Sequence, residues 1–307
     1  MPASIAVGPQ HDAVSGAAAA RIARSVADLV TCGSIDLTAK AAGQAHLIAA
    51  LLPSGTKVYV NHLRNQTLAD TAAACASLRE AGLEPVPHLA ARRVASRSEL
   101  EAFLVEATRT AGVQKVLLVG GDERQALGPY ADSTQLLRDG ILAACGIREV
   151  GFAGYPEGHP DIAQRVLENA TSERIEIATA QGLWVHIVTQ FSLAPARVVE
   201  YCAALSRRAP GVPIYAGMAG PTDPMALLRY AQLCGVSSSL RALRAQGIDA
   251  VRLVTHTDPG AQLTAIARYC DAHDWCNVVG AHLYSFGGVR RTAAWMNGVI
   301  AAQTAVR

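Results

Sequence analysis

The sequence predicts a single-domain (β/α)8 TIM barrel with an N-terminal helical extension, and three observations predict it. Its 307 residues suit one large α/β domain. Half of them are hydrophobic and only 17% are charged, a balance that favours a deeply buried core over disorder. Short β-branched runs then alternate eight times with longer amphipathic or alanine-rich stretches. The short runs show little in/out alternation, as expected of parallel strands covered on both faces.

In chain order, residues 1–30 read as a leader and one helix, Ser15–Val30, suited to plug the barrel's bottom. Residues 31–307 form the barrel. Strands are expected at Ser34–Leu37, Lys57–Asn61, Glu84–Leu89, Lys115–Gly120, Glu149–Tyr155, Trp184–Gln190, Pro213–Gly217 and Asn277–Ser285. Helices are expected at Gly43–Leu52, Thr67–Ala81, Ser98–Thr110, Asp132–Ala144, Pro160–Ala180, Pro195–Arg208, Asp223–Cys234 with Ser238–Gln246, Gly260–His273 and Arg290–Thr304. A doubly wound open sheet is the alternative, weakened by the lack of a GxGxxG turn after the first strand. No C-terminal regulatory domain is expected beyond the last helix.

A net charge of +2 argues against nucleic-acid or polybasic membrane partners. No apolar run reaches the roughly 18–20 residues of a membrane span, and residues 1–30 lack the basic-then-apolar order of a secretory signal. Seven scattered cysteines without a CxxC pair read as reduced thiols of a cytoplasmic protein. A homo-oligomer is left open.

Polar residues collect where strands end. Asp36 lies near the end of the first strand, and Asn61 and His88 end the second and third. Gly121-Asp122 ends the fourth, Tyr155 the fifth, Gln190 the sixth and Tyr284-Ser285 the eighth. Singly, each has a bland reading: an aspartate after a strand is usually a helix N-cap, and a lone histidine or glutamine a satisfied core group. Together they predict a functional mouth at the strands' C-terminal face, where such barrels carry their sites. In Gly120-Gly121-Asp122, paired glycines let a ligand approach the backbone closely. Gly154-Tyr155-Pro156-Glu157-Gly158-His159-Pro160 is a stiffened loop, and the helix expected to start at Pro160 would offer its N-terminus to a diphosphate.

At these residues the chain resembles the methylenetetrahydrofolate reductase family, the flavin-dependent enzymes that make 5-methyltetrahydrofolate. Pro87-His88-Leu89, Val119-Gly120-Gly121-Asp122, Ala153 to Pro160 and Val188-Thr189-Gln190-Phe191 match motifs of its third to sixth strands. His282-Leu283-Tyr284-Ser285 is a looser echo of the last one. The resemblance implies that Asp36 protonates the folate as its five-membered ring opens, with Asp122 between flavin and pterin. It also implies folate contacts from Asp122, Gln190 and Tyr284, and FAD contacts from Asn61, His88, Gly121, Asp122, Tyr130, Ala153, Tyr155 and His159, with NADH or NADPH as electron donor. The chemistry agrees, because hydride must reach an electrophilic methylene carbon and opening the ring to an iminium needs a proton donor.

Departures qualify this. The family usually has glutamate where Asp36 stands, so the carboxyl is about 1.5 Å shorter, a misplacement large enough to matter for proton transfer. Some members carry arginine where Gly120 stands, and the last block continues Phe286-Gly287-Gly288 in place of Leu-Asn. The basic pair expected before the sixth strand is missing, leaving Arg165 and Arg174 as stand-ins and predicting weaker FAD binding. Competing readings are a flavin-free nicotinamide-linked folate reductase, a metal-dependent barrel hydrolase and a non-catalytic folate- or flavin-binding relic.

Overall fold

Eight strands form in the computed structural model of the chain, which describes residues 9–234, 236 and 259–304. They are β1 (Ser34–Thr38), β2 (Lys57–Asn61), β3 (Glu84–Ala90), β4 (Lys115–Val119), β5 (Glu149–Gly154), β6 (Trp184–Thr189), β7 (Ile214–Ala219) and β8 (Val278–Tyr284). Each pairs in parallel with its sequence neighbours, and β8 returns to β1 to close the barrel. The described helices are α1 (Pro9–Thr31), α2 (Ala45–Ala49), α3 (Leu68–Glu80), α4 (Arg97–Ala111), α5 (Ser133–Arg138), α6 (Ile141–Ala144), α7 (Gln164–Ala180), α8 (Pro195–Arg208), α9 (Pro224–Leu233), α10 (Gly260–Ala272) and α11 (Val289–Thr304). None is long and apolar enough to cross a membrane. The helix expected over Ser238–Gln246 lies outside the described residues.

Period-two alternation sorts the strand residues. Ile35, Leu37, Val58, Val60, Val116, Leu118, Val150 and Phe152 face outward into the layer beneath the helices. Each such side chain stabilises the fold by about 1.5–3 kcal/mol when fully buried, so this layer dominates the stability. The alternate residues face inward, where Tyr59, Val86, Leu117, Val188 and Tyr215 form a separate cluster. Helix starts are fixed locally. Thr67 and Asp70 cap α3 reciprocally, and Ser96 and Asp132 accept amides at the starts of α4 and α5, each cap contributing about 1 kcal/mol.

Three expectations are corrected. The N-terminal helix is longer than Ser15–Val30, and it packs along α10 and α11 on the outside instead of plugging the bottom; Arg21 reaches Asp271 of α10 at 2.8 Å. At the bottom stand the first residues of β2 to β5, where Lys115 lies 3.3 Å from Glu84 and 3.2 Å from Glu149. The stretch Asp132–Ala144 is two helices, because Gly140 adopts a left-handed backbone (φ 75°) between them. The fifth loop's helix starts at Gln164, not Pro160. His159 pairs with Ile162 in an isolated bridge and accepts the Asp161 amide at 3.1 Å, and Ala163 is extended.

Gly217 of β7 is the tightest junction near the mouth. Its amide donates to the Thr189 hydroxyl at 2.8 Å, and its carbonyl accepts from Gln262 at 3.3 Å. A Cβ there would overlap the Thr189 carbonyl and crowd the Tyr284 ring. We expect Gly217→Ala to destabilise the fold by about 3 kcal/mol, the upper end for overpacking. Gly43→Ala, with nothing near its added carbon, should stay within about 0.5 kcal/mol of the parent, as surface changes do. Urea titrations of the two variants measure the contrast.

Candidate active site

Asp36 is the centre of the C-terminal mouth. It lies between the outward-facing Ile35 and Leu37, so its side chain turns into the barrel, where it is 6% exposed. One carboxylate oxygen accepts from Asn61 Nδ2 of β2 at 2.9 Å, and the other from the Ser285 amide just beyond β8 at 2.6 Å. Burial raises its pKa above the ordinary value of 3.8, outweighing the Asn61 and Ser285 bonds that favour the charged form. A buried carboxyl whose pKa is raised, held by two donors in a polar mouth, has the properties of a proton donor.

Gln190 leaves β6 beside it. Its side-chain oxygen accepts the Phe191 amide at 3.1 Å, and its side chain also bonds the Cys234 thiol. Cys234 just follows α9, and its pKa is pushed up to about 11 by burial and then by the Asp36 charge. The structure thus gathers Asp36, Asn61, Gln190 and Cys234. Cys234 carried no signal in the sequence, being a lone cysteine in an unremarkable helix. Tyr284 is half-buried beside them, with its hydroxyl donating to the Thr189 carbonyl at 3.0 Å and its ring against His282.

The other expected residues make no hydrogen bond to Asp36. Asp122 and Gly121 follow β4, but the Asp122 side chain is 71% exposed and lies 3.5 Å from Arg64 on the rim. Tyr130 is buried in the layer between strands and helices, where its hydroxyl donates to Asp139 at 2.9 Å. Ala153 faces inward on β5, alternating with Phe152. Tyr155 and His159 meet edge to face, 5.7 Å between ring centres, in the loop leading to α7. Arg165 is exposed. Arg174 is 8% exposed and turned under the helices, donating to Ser133 and Ala170 over the Phe152 ring.

Beneath the mouth the barrel is polar. Tyr59 bonds His186 Nε2 at 2.9 Å, and Glu149 lies 2.8 Å from His186 Nδ1. His282 Nδ1 pairs with the Ser34 hydroxyl at 2.8 Å. His88 stands edge-on to the Tyr59 ring, and its Nε2, like that of His282, is buried without a partner. Burial lowers the pKa of both His88 and His282 to about 3, so both are neutral. Across β6 to β8, Phe191, Tyr230, Tyr284 and Phe286 stack over the mouth, with Tyr230 and Phe286 4.5 Å apart. Phe286 does this from a left-handed backbone, φ 47°, which a bulky residue adopts only at a cost. Among the described residues no group of three or more His, Cys, Asp or Glu is placed to hold a metal ion.

Fold and mouth together define a (β/α)8 barrel with a candidate active site on its C-terminal face. No family model matches the sequence. A protein from Clostridium thermocellum that binds two copies of 5-methyl-5,6,7,8-tetrahydrofolic acid has a similar fold, with a TM-score of 0.54 at 13% identity, over 89% of this chain and 96% of that one. A putative phosphonomutase from Burkholderia cenocepacia J2315 is similar at a TM-score of 0.51 and 11% identity, over 92% of this chain and 99% of that one. At such identities the likeness is one of fold.

The raised pKa of Asp36 has a consequence for stability. Between pH 3.8 and its folded pKa, the native state holds a proton that the unfolded chain has lost, so stability falls as pH rises through that window. Above it the full penalty of a buried charge remains. We expect Asp36→Asn, which does not titrate, to lack the fall in stability that the parent shows as pH rises from 4 toward 7. Calorimetry across that range checks it; a variant whose stability falls as steeply as the parent's contradicts the assignment.

Proposed function

We propose that this barrel binds a reduced folate and interconverts 5,10-methylenetetrahydrofolate and 5-methyltetrahydrofolate, with Asp36 as general acid. The observation that carries the reading is the buried Asp36 carboxyl, its pKa raised by desolvation and its orientation fixed by Asn61 and Ser285. The ordered motifs from Pro87 to Ser285 support it, as does the folate bound by the similar Clostridium thermocellum protein. In this reading Asp36 delivers its proton to the folate nitrogen as the five-membered ring opens, leaving a methylene iminium to receive hydride. Gln190 offers an amide to the pterin edge, and the aromatic cover excludes water from the cation.

The residues fit FAD in part. Ala153 leaves room for a flat ring, and the buried, unpartnered His88 Nε2 is a polar atom seeking a partner. The diphosphate side does not fit. Arg174 is enclosed under the helices, Tyr130 is committed to Asp139, and the helix N-terminus is displaced to Gln164. Arg197 and Arg208, which line the groove beside His159, face Glu200 and Glu168. Each absent charge-assisted bond costs about 1.5–3 kcal/mol. These observations favour, as a second reading, direct hydride transfer from NADH or NADPH to the same folate.

Asp36→Asn is expected to lower folate turnover about 100-fold, the usual scale for losing a general acid. Near-normal turnover would leave Asp36 a structural role. Calorimetric titration of FAD, run beside assays with NADH or NADPH alone, separates the two electron routes. Saturable FAD binding that turnover requires supports the flavin route, whereas turnover with the nicotinamide alone supports the second. No folate turnover under any of these donors, with no folate binding, refutes the proposal.

A further inference from the structure

At the opposite end of β8 from Tyr284, the structure brings together two cysteines that are six residues apart in sequence. Cys270 lies in the last turn of α10, and Cys276 stands just before β8. Two successive turns fold the chain between them. The His273 amide donates to the Cys270 carbonyl at 3.3 Å, and the Cys276 amide donates to the His273 carbonyl at 2.9 Å. The Cys270 and Cys276 side chains interact with each other across this turn. Both residues are partly exposed, whereas the neighbouring Cys202 of α8 is 1% exposed and out of reach of solvent. Tyr269, His273 and Trp275 pack ring against ring around the turn, with Arg207 of α8 lying 4.7 Å over Trp275.

We propose that Cys270 and Cys276 form a dithiol modification site that reacts with small-molecule disulfides and closes to an intramolecular disulfide.

The chemistry follows from the asymmetry of the pair. Contacts with the Cys270 side chain, the Val278 backbone and His273 together lower the pKa of Cys276 against the upward push of burial. That of Cys270 is raised. Cys202 also faces the pair, and of the two carboxylates nearest in sequence Asp271 is paired with Arg21 at 2.8 Å and Asp274 is not among the groups that shift either thiol. The thiolate is the attacking form. Cys276 attacks one sulfur of a glutathione disulfide, breaking its S–S bond and releasing one glutathione thiolate. Cys270 then loses its proton to solvent and attacks the Cys276 sulfur of the mixed disulfide, releasing the second glutathione. Two protein thiols are oxidised, one glutathione disulfide is reduced to two thiols, and no other reactant is needed.

The test is incubation of the full chain with oxidised glutathione, followed by acid quench, thiol counting in denaturant and peptide mapping. The expected result is one cross-linked peptide joining Cys270 to Cys276, which accounts for two of the seven thiols, with any glutathione adducts on the exposed Cys32 and Cys234 counted separately by mass. Cys276→Ser should abolish the cross-link. Cys270→Ser should leave a persistent glutathione adduct on Cys276, a result that holds even where the first variant folds poorly. Retention of all seven thiols overturns the proposal, and so does a cross-link that involves Cys202.

Discussion

The barrel's seam is held by a carboxylate. Backbone pairing between β1 and β8 is confined to Ser34 with His282 and Ile35 with Leu283, and beyond that point the Asp36 side chain continues the ladder by accepting the Ser285 amide. Its second oxygen holds Asn61, so one side chain ties together three strands at the open end of the barrel. The same burial that lets it do this raises its pKa. Closure of the seam and the raised pKa of Asp36 are therefore one arrangement, and the neighbouring groups at the mouth are organised around it.

The polar shaft below Asp36 follows from how little apolar material the inward positions contain. Such barrels are commonly filled by branched aliphatic residues. Here Tyr59, three histidines and a Lys115–Glu84–Glu149 cluster take much of that space. Each polar atom without a partner costs about 1–3 kcal/mol, so the two orphaned Nε2 atoms are tolerated only because the outward layer contributes far more. Neutral His88 and His282 also add no positive charge beneath Asp36, so no nearby cation offsets the desolvation that raises its pKa.

Much of this was legible in the sequence, and the exceptions have definite causes. All eight strands were readable because two-sided burial writes continuous apolar runs, and Asp36, Asn61 and Gln190 were readable because a strand's C-terminal end fixes where its side chains gather. Pro160 misled because proline suits a first helical turn, yet the His159 ring captures the Asp161 amide and delays the helix to Gln164. The direction of an amphipathic helix such as α1 is not encoded by its periodicity, which states only that one face must be covered. Tyr130 and Arg174 lie outside the matched motifs, and their orientation depends on Asp139 and Ser133, partners no local pattern reveals. Cys234 and the Cys270–Cys276 pair depend on contacts formed after folding, around helix ends whose geometry a spacing of six does not specify.

Phe286 sets a limit on what the mouth can discriminate. Its ring already has a face partner in Tyr230, and its left-handed backbone holds it there at a strain on the order of 1–3 kcal/mol. A flat heterocycle that slips between them exchanges one stack for another, so little net attraction remains from the faces. Selection among guests of similar outline then passes to their edges, where an unmatched donor or acceptor meets buried Asp36 and half-buried Gln190 and is penalised far more steeply than a missing stack.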